Sequence, residues 1–418
     1  MSIKRSALIM TISLILVMGL ALSAAADVFK LGVVGPYTGP AARTGEEFQG
    51  AVEMAFEEID FQIGHYDVEL VWIDSQSDPE RATRAYDDAV IRDRIDAGLL
   101  NWHSSVAVAL MDAAARNRVP HFFGFGATEV VIEKYEADPE RYSYWMGKTW
   151  PIPEKLSGAY VEALETAIDD GLWEPRNRKA AIYGEDTDWG RSFGAALASD
   201  FEAAGWEVTG HEYFAQGETE LYPLITSLRD QDVSAVGGTV ANLPSFAAFI
   251  KQAREVGLES FIIADGLGWA GEWYELTGED SDYVLDQIPQ WPTDEARAFA
   301  AEFEEIYGIT PSTSAGGQAY DMARFFIQIA KSAYEEYGEL SREILYEVGQ
   351  DQLWAGELVF EDGIVHEKYM YTEDTVPDPK VGEGYFIFPV LQYFDGEGQI
   401  VWPDSFKEAD LQVPEFME

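Results

Sequence analysis

From residue 27 onward the chain alternates short apolar runs with longer amphipathic stretches. Val28–Val34 is predicted as a strand, and Glu46–Ile59 as a helix with Phe48, Val52, Phe56 and Ile59 on one stripe. Val68–Ile73 is a second strand. Asp78-Pro79 then supplies an N-cap and a proline at the first helical position, opening a helix that runs to Arg94. Gly98–Leu100 leads into a helix from Ser105, and His121–Phe125 is a short apolar strand. After a Trp- and Pro-containing stretch, Trp145 to Pro153, the rhythm restarts. Helices are predicted at Glu154–Asp169, Gly190–Ala204, Tyr222–Asp230 and Pro244–Val256, between strands at Lys179–Tyr183, Trp206–Tyr213, Val233–Val236 and Ser260–Ala264. Helices Asp294–Tyr307 and Ala315–Tyr337 follow, and the remainder reads as strands and turns.

Such alternation implies an α/β fold with parallel sheets covered by helices on both faces. Two runs of it imply two doubly wound lobes. In open α/β sheets, ligands sit beyond the carboxyl ends of strands, where helix N-termini present free N–H groups. Three segments occupy that position: Asn101-Trp102-His103-Ser104-Ser105, Gly126-Ala127-Thr128 and Asp265-Gly266. The first two offer hydroxyls and N–H groups suited to a carboxylate, and charge-assisted bonds of this kind are the stronger ones. Asp265 is an acceptor suited to an ammonium group. The plainer alternatives are that Ser104 or Ser105 caps its helix and that Asp265 sits in a turn.

The N-terminus carries Lys4 and Arg5, an uncharged run from Ser6 to Ala26, and Ala24-Ala25-Ala26 before Asp27. A basic start, a short apolar core and a small-residue end predict an export signal, residues 1–26. The core is short for a membrane anchor, which needs about 20 apolar residues. The chain has no cysteine, which excludes disulfides, thiolate metal sites, a Cys nucleophile and a lipidated cysteine. A secreted protein without a lipid anchor is expected in the periplasm.

Charge narrows the partners. The chain carries 28 basic and 75 acidic residues, a formal charge of −47. Such a field repels nucleic acid and anionic membranes. With 47% hydrophobic and 13% aromatic residues it is not a disordered tail. The acids are spread along the whole chain, which suggests adaptation to high salt, where screening shortens self-repulsion to about 3 Å at 1 M.

Further segments carry a resemblance. Leu31-Gly32-Val33-Val34-Gly35-Pro36-Tyr37-Thr38-Gly39-Pro40 is similar to the start of leucine/isoleucine/valine-binding proteins. So are Asp74-Ser75-Gln76-Ser77-Asp78-Pro79, the Ser-Ser segment, Gly126-Ala127-Thr128 and Trp189-Gly190. Gln252-Ala253-Arg254 to Gly257-Leu258 and Ala319-Tyr320-Asp321 complete the series, in order over nearly the whole mature chain.

The resemblance implies a type I periplasmic binding fold, with two lobes joined by a three-crossover hinge. Lobe one would comprise 27–150 plus 289–354, and lobe two 151–288 plus 355–418. It implies a monomeric solute-binding protein, with no cofactor, that delivers its ligand to an ABC permease and catalyses nothing. Ser104, Ser105, Gly126, Ala127 and Thr128 would hold a ligand carboxylate, Asp265 its amino group, and Trp189 would pack nearby. A neutral or branched-chain amino acid is the expected ligand. An amide or aromatic carboxylate, or a sensory module of the same fold, is the alternative.

Departures bear on the ligand. The family often has Tyr at the position of Trp189 and an aromatic at that of Thr44. Trp102, Trp150 and Trp269 add indoles near the expected cleft, and His103 lies beside it. Hydrolase chemistry is disfavoured: Gly190-Arg191-Ser192-Phe193-Gly194 matches G-x-S-x-G, but Ser192 falls inside a helix rather than on a strand-to-helix turn. The five histidines show no zinc spacing, so no metal is expected.

Overall fold

The computed structural model describes residues 27–269, 273–288, 291–382 and 384–417. Residues 1–26, the expected export signal, lie outside the described residues. No helix among the described residues is long and apolar enough to cross a membrane.

Lobe one is built on a five-stranded sheet in the order β2-β3-β1-β4-β5. Its strands are β1 (Asp27–Gly35), β2 (Gln62–Ile63), β3 (Tyr66–Asp74), β4 (Ala97–Leu99) and β5 (His121–Phe122). β1 pairs in parallel with β3 on one side and β4 on the other, and β4 with β5. The central strand is buried from Leu31 to Gly35, which is why it reads as a nearly continuous apolar run. Helices α1 (Ala42–Glu57), α2 (Pro79–Asp88), α3 (Ser104–Asn117) and α4 (Glu129–Ala137) complete this lobe's first pass. α2 starts as expected, with the Asp78 side chain accepting from the Arg81 N–H at 2.8 Å. It ends at Asp88, because the chain widens into one π turn, Ala89–Asp93, and Arg94 turns left-handed at φ 61°. β5 stops at Phe122 rather than Phe125. Phe123 adopts a left-handed φ of 55°, and the Gly124 carbonyl accepts from the Thr149 N–H at 2.9 Å.

Lobe two carries a seven-stranded sheet, β12-β11-β10-β9-β8-β6-β7. β6 (Lys179–Glu185), β7 (Glu207–Phe214), β8 (Ala235–Thr239), β9 (Phe261–Asp265) and β10 (Leu285–Asp286) are parallel. β11 (Val390–Phe394) and β12 (Glu397–Trp402) extend the edge antiparallel, joined through Asp395-Gly396 with φ of 49° and 81°. Two positive φ angles at an Asp-Gly pair suit the turn whose twist matches a hairpin. Helices α5 (Gly158–Asp169), α6 (Asp188–Ala203) and α7 (Leu243–Val256) belong to this lobe.

The chain then returns to lobe one as α8 (Asp294–Tyr307) and α9 (Gln318–Tyr337). Phe326 of α9 packs on Phe29 and Phe122, with centroids 6.3 and 5.3 Å away. Buried Glu47 of α1 fastens the turn before α9, accepting from the Ser312 N–H, the Ser312 hydroxyl and the Gly316 N–H at 2.8–2.9 Å.

The stretch after residue 354, expected in lobe two, packs against lobe one. Phe360 stacks on Phe325 at 5.5 Å, and Tyr371 on Phe123 at 5.6 Å, so this stretch still covers lobe one. The aromatic face of α9 would otherwise lie bare to water. Asp378 is held between Lys148 at 2.6 Å and Lys155 at 2.7 Å, which ties residues 148–155 to the later part of the chain. Lys148 and Asp378 are buried, and the two cations outweigh the effect of burial and hold the Asp378 carboxyl below its usual range.

Candidate functional site

Both sheets reverse their winding between neighbouring strands, β1 and β4 in lobe one and β6 and β8 in lobe two. The segments after β4, β6 and β8 therefore project toward one another, as the rule for open sheets requires. Between them lies a cavity of about 200 Å³. That is below the roughly 300 Å³ at the low end for drug-sized ligands, so it suits a small solute.

Lobe one contributes the start of α3. Ser104 and Ser105 line the cavity, as does His103, the N-cap residue, whose side chain caps nothing. A helix start without a side-chain cap leaves first-turn N–H groups and the positive end of the helix dipole for an anion or acceptor. Burial drives the His103 pKa down to about 4, so the ring is neutral at neutral pH, and its buried Nε2 has no hydrogen-bond partner among the described residues. Trp102, Phe125, Ala127 and Trp150 form the apolar wall on this side.

Lobe two contributes Asp186 and Thr187 from the turn after β6 and Trp189 from the first turn of α6, with Gln216, Ala241 and Trp269. Trp189 is fixed by a relay: its indole N–H donates to the Thr239 hydroxyl at 2.8 Å, which donates to the Asp265 carbonyl at 2.7 Å. The buried indole nitrogens of Trp102, Trp150 and Trp269 have no hydrogen-bond partner among the described residues. Asp186 is the charged residue among the described lining. It is half-exposed and paired with Arg191 at 2.5 Å.

The lobes are closed on this cavity. The Asp188 N–H donates to Ser105 Oγ at 3.4 Å, Thr128 and Ser192 share a hydroxyl contact at 2.8 Å, and Asn242 donates to the Pro40 carbonyl at 2.6 Å. Trp102 meets Trp269 across the gap at 5.5 Å.

Six of the residues expected at the site, Trp102, His103, Ser104, Ser105, Ala127 and Trp189, line the cavity, and four do not. Gly126 packs into lobe one, where a Cβ would press on Ala107 and Val131 at 3.0 and 3.2 Å. Thr128 caps α4 and touches Ser192 instead of the cavity. Thr44 lines a neighbouring cavity, separated from the first by Trp269 and Ala241, which line both. Asp265 lines neither. Its Oδ1 accepts from the Tyr160 hydroxyl at 2.8 Å, behind Gly266, on which the Trp269 ring packs. Burial, with the charge of Asp286 added, raises the Asp265 pKa well above the usual carboxylate range. The Asp265 Oδ2 is buried without a hydrogen-bond partner among the described residues.

Trp269 is itself held from β10, the strand beside β9. Asp286 accepts from the Gly266 N–H at 2.7 Å, the Gly268 N–H at 2.9 Å and the Tyr393 hydroxyl at 2.7 Å. Sequence reasoning missed that clamp, and it missed Phe125, Thr187 and Gln216 in the lining. Ser77 and Pro79, also in the lining, sit in the Asp74–Pro79 segment that already stood out.

Two α/β lobes of this topology, closed over a small shielded cavity, define a two-lobed binding protein of type I architecture. The periplasmic binding protein family model matches residues 28–361, and the chain belongs to that family, one of solute-binding proteins and not of enzymes. A Leu/Ile/Val-binding protein homolog of Brucella suis is 25% identical over 247 residues, 58% of this chain and 59% of the relative's length. A Rhodopseudomonas palustris solute-binding protein of an ABC transporter, solved with benzoate, superposes with a TM-score of 0.72 at 18% identity, covering 92% of this chain and all of that one. The branched-chain amino acid binding protein of Streptococcus pneumoniae, solved with isoleucine, gives 0.68 at 18% identity, covering 89% and 98%.

Proposed function

We propose that this chain is the extracytoplasmic, periplasmic solute-binding component of an ABC-type importer, and that it captures a small carboxylate lacking a primary ammonium group. One observation carries the reading: the cavity pairs an uncapped helix start bearing Ser104 and Ser105 with a wall of aromatic rings, while Asp265 is sealed behind Trp269. A primary ammonium brings N–H donors that need acceptors once water is excluded. The buried part of this lining offers no carboxylate for them. The amino-acid ligand expected from the resemblance is therefore the less favoured one.

Closure follows from the same geometry. The carboxylate binds to lobe one at α3, and the body of the ligand fills the space against Trp189 and Trp269 of lobe two. An occupied cavity stabilises the closed pair of lobes, and the closed pair is what a permease can distinguish from the open one. The protein works as a monomer, and its acidic surface fits a high-salt periplasm.

Titration calorimetry on the mature chain in molar salt tests this. The neighbours supply the probes: benzoate should saturate one site without being consumed and bind at least tenfold more tightly than isoleucine. Tighter binding of isoleucine would overturn the ligand assignment.

A further inference from the structure

We propose that the body of the ligand is a quaternary ammonium group, so that the cavity takes a betaine-type zwitterion. This rests on the reading above that the cavity is the ligand site and that the start of α3 takes the carboxylate. The proposal names what lies at the other end.

Ring geometry is the first support. Trp269 stands at 85° to Trp102 and at 83° to Trp150, with centroids 5.5 and 6.3 Å apart. Trp189 closes on Trp269 at 44° and 5.8 Å, and Phe125 backs Trp102 at 4.9 Å. Walls set at right angles make a box with corners. A flat aromatic ligand is gripped best between two parallel faces, which must stand roughly 7 Å apart to admit a ring at van der Waals distance on both sides. The near-parallel pair in this wall, Phe125 and Trp150 at 18°, is only 6.3 Å apart and leaves no such slot. A compact, rounded group fits the corner better.

Charge is the second. A cation is attracted to the faces of indole rings, more strongly to Trp than to Phe or Tyr, and methylated ammonium groups are recognised in this way. A quaternary nitrogen carries no N–H, so it needs none of the acceptors that this wall lacks. No lysine or arginine is among the described lining residues, and the charged side chain there, Asp186, is paired with Arg191. The chain carries 75 acidic against 28 basic residues, a field that disfavours a plain anion at low ionic strength and is screened in molar salt. A zwitterion carries no net charge into that field and divides its two poles between the helix start and the indole box.

The test compares three carboxylates by titration calorimetry on the mature chain in molar salt. They are glycine betaine, its uncharged-tail isostere 3,3-dimethylbutyrate, and benzoate. Betaine and dimethylbutyrate share shape and carboxylate and differ in the cationic nitrogen. The expected result is that betaine binds at least tenfold more tightly than either of the others, and that Trp102→Phe weakens betaine more than dimethylbutyrate. Equal or tighter binding of dimethylbutyrate, or tightest binding of benzoate, would overturn the cation while leaving the carboxylate site standing. Binding of none of the three would overturn that underlying reading as well.

Discussion

The two lobes end their strands with similar sequence signals but opposite results. After β4, the polar segment Asn101–Ser105 feeds a helix whose start is uncapped and lines the cavity. After β9, Asp265-Gly266 looks equally suited to a ligand, yet the protein fills that strand end itself. Tyr160 bonds the Asp265 carboxyl, Asp286 takes the N–H groups of Gly266 and Gly268, and Trp269 lies over the top. A polar residue beyond a parallel strand is therefore only an opportunity for a site. Whether a ligand reaches it depends on what the rest of the lobe lays across it. Here that decision turns a possible anionic contact into an aromatic wall.

Acid should break this comparison most completely, because the lobes differ in buried histidine. His103 and His121, both in lobe one, have pKa values lowered by burial to about 4, and His366, stacked on Phe386, to about 3. His211, in lobe two, is exposed. Folded-state values below the unfolded value of about 6.5 mean that the unfolded chain binds more protons on acidification. The stabilisation is complete above that value and lost as pH falls through about 4. Lobe one should lose its fold first, visible as early loss of hydrogen-exchange protection in β4 and α3. Simultaneous loss in both lobes would contradict the asymmetry.

The clamp under Trp269 comes next. Asp286→Ala strands buried donors from Gly266, Gly268 and Tyr393, and at about 1–3 kcal/mol for each unsatisfied group the cost should reach 3 kcal/mol or more. Denaturant unfolding measures it, and a change under about 1 kcal/mol would mean that the loop holds itself. Trp269→Ala opens the cavity to its neighbour and should cost about 2 kcal/mol of binding, roughly thirtyfold in Kd, as for a buried aromatic anchor. Ser105→Ala removes one hydroxyl at the polar end and should cost about 1 kcal/mol, roughly fivefold. Asp265→Asn is the smallest: its carboxyl is bonded to Tyr160 behind the wall, so ligand affinity should not change measurably. A large loss there would restore a direct ligand role for Asp265.

Much of this was legible in the sequence because it depends on local pattern. The β1 apolar run, the Asp78-Pro79 helix start and the position of Ser104-Ser105 beyond a strand each carry their own signal. The misplacements share one physical cause: long-range packing. Thr128 bonds Ser192 across the lobes, Thr44 sits beyond Trp269, and residues 358–371 stay on lobe one to cover Phe325 and Phe123. None of these partners is near in sequence. The clamp from Asp286 to Gly266 crosses between neighbouring strands, and no spacing rule could have revealed it.

The most direct test is a crystal structure of residues 27–418 grown with saturating carboxylate ligand. The expected density places the carboxylate at the start of α3, against Ser104 and Ser105, with the body among Trp102, Trp150, Trp189 and Trp269 and with Asp265 still bonded to Tyr160. A ligand cation within hydrogen-bond distance of the Asp265 carboxyl, with Trp269 displaced, would contradict the account.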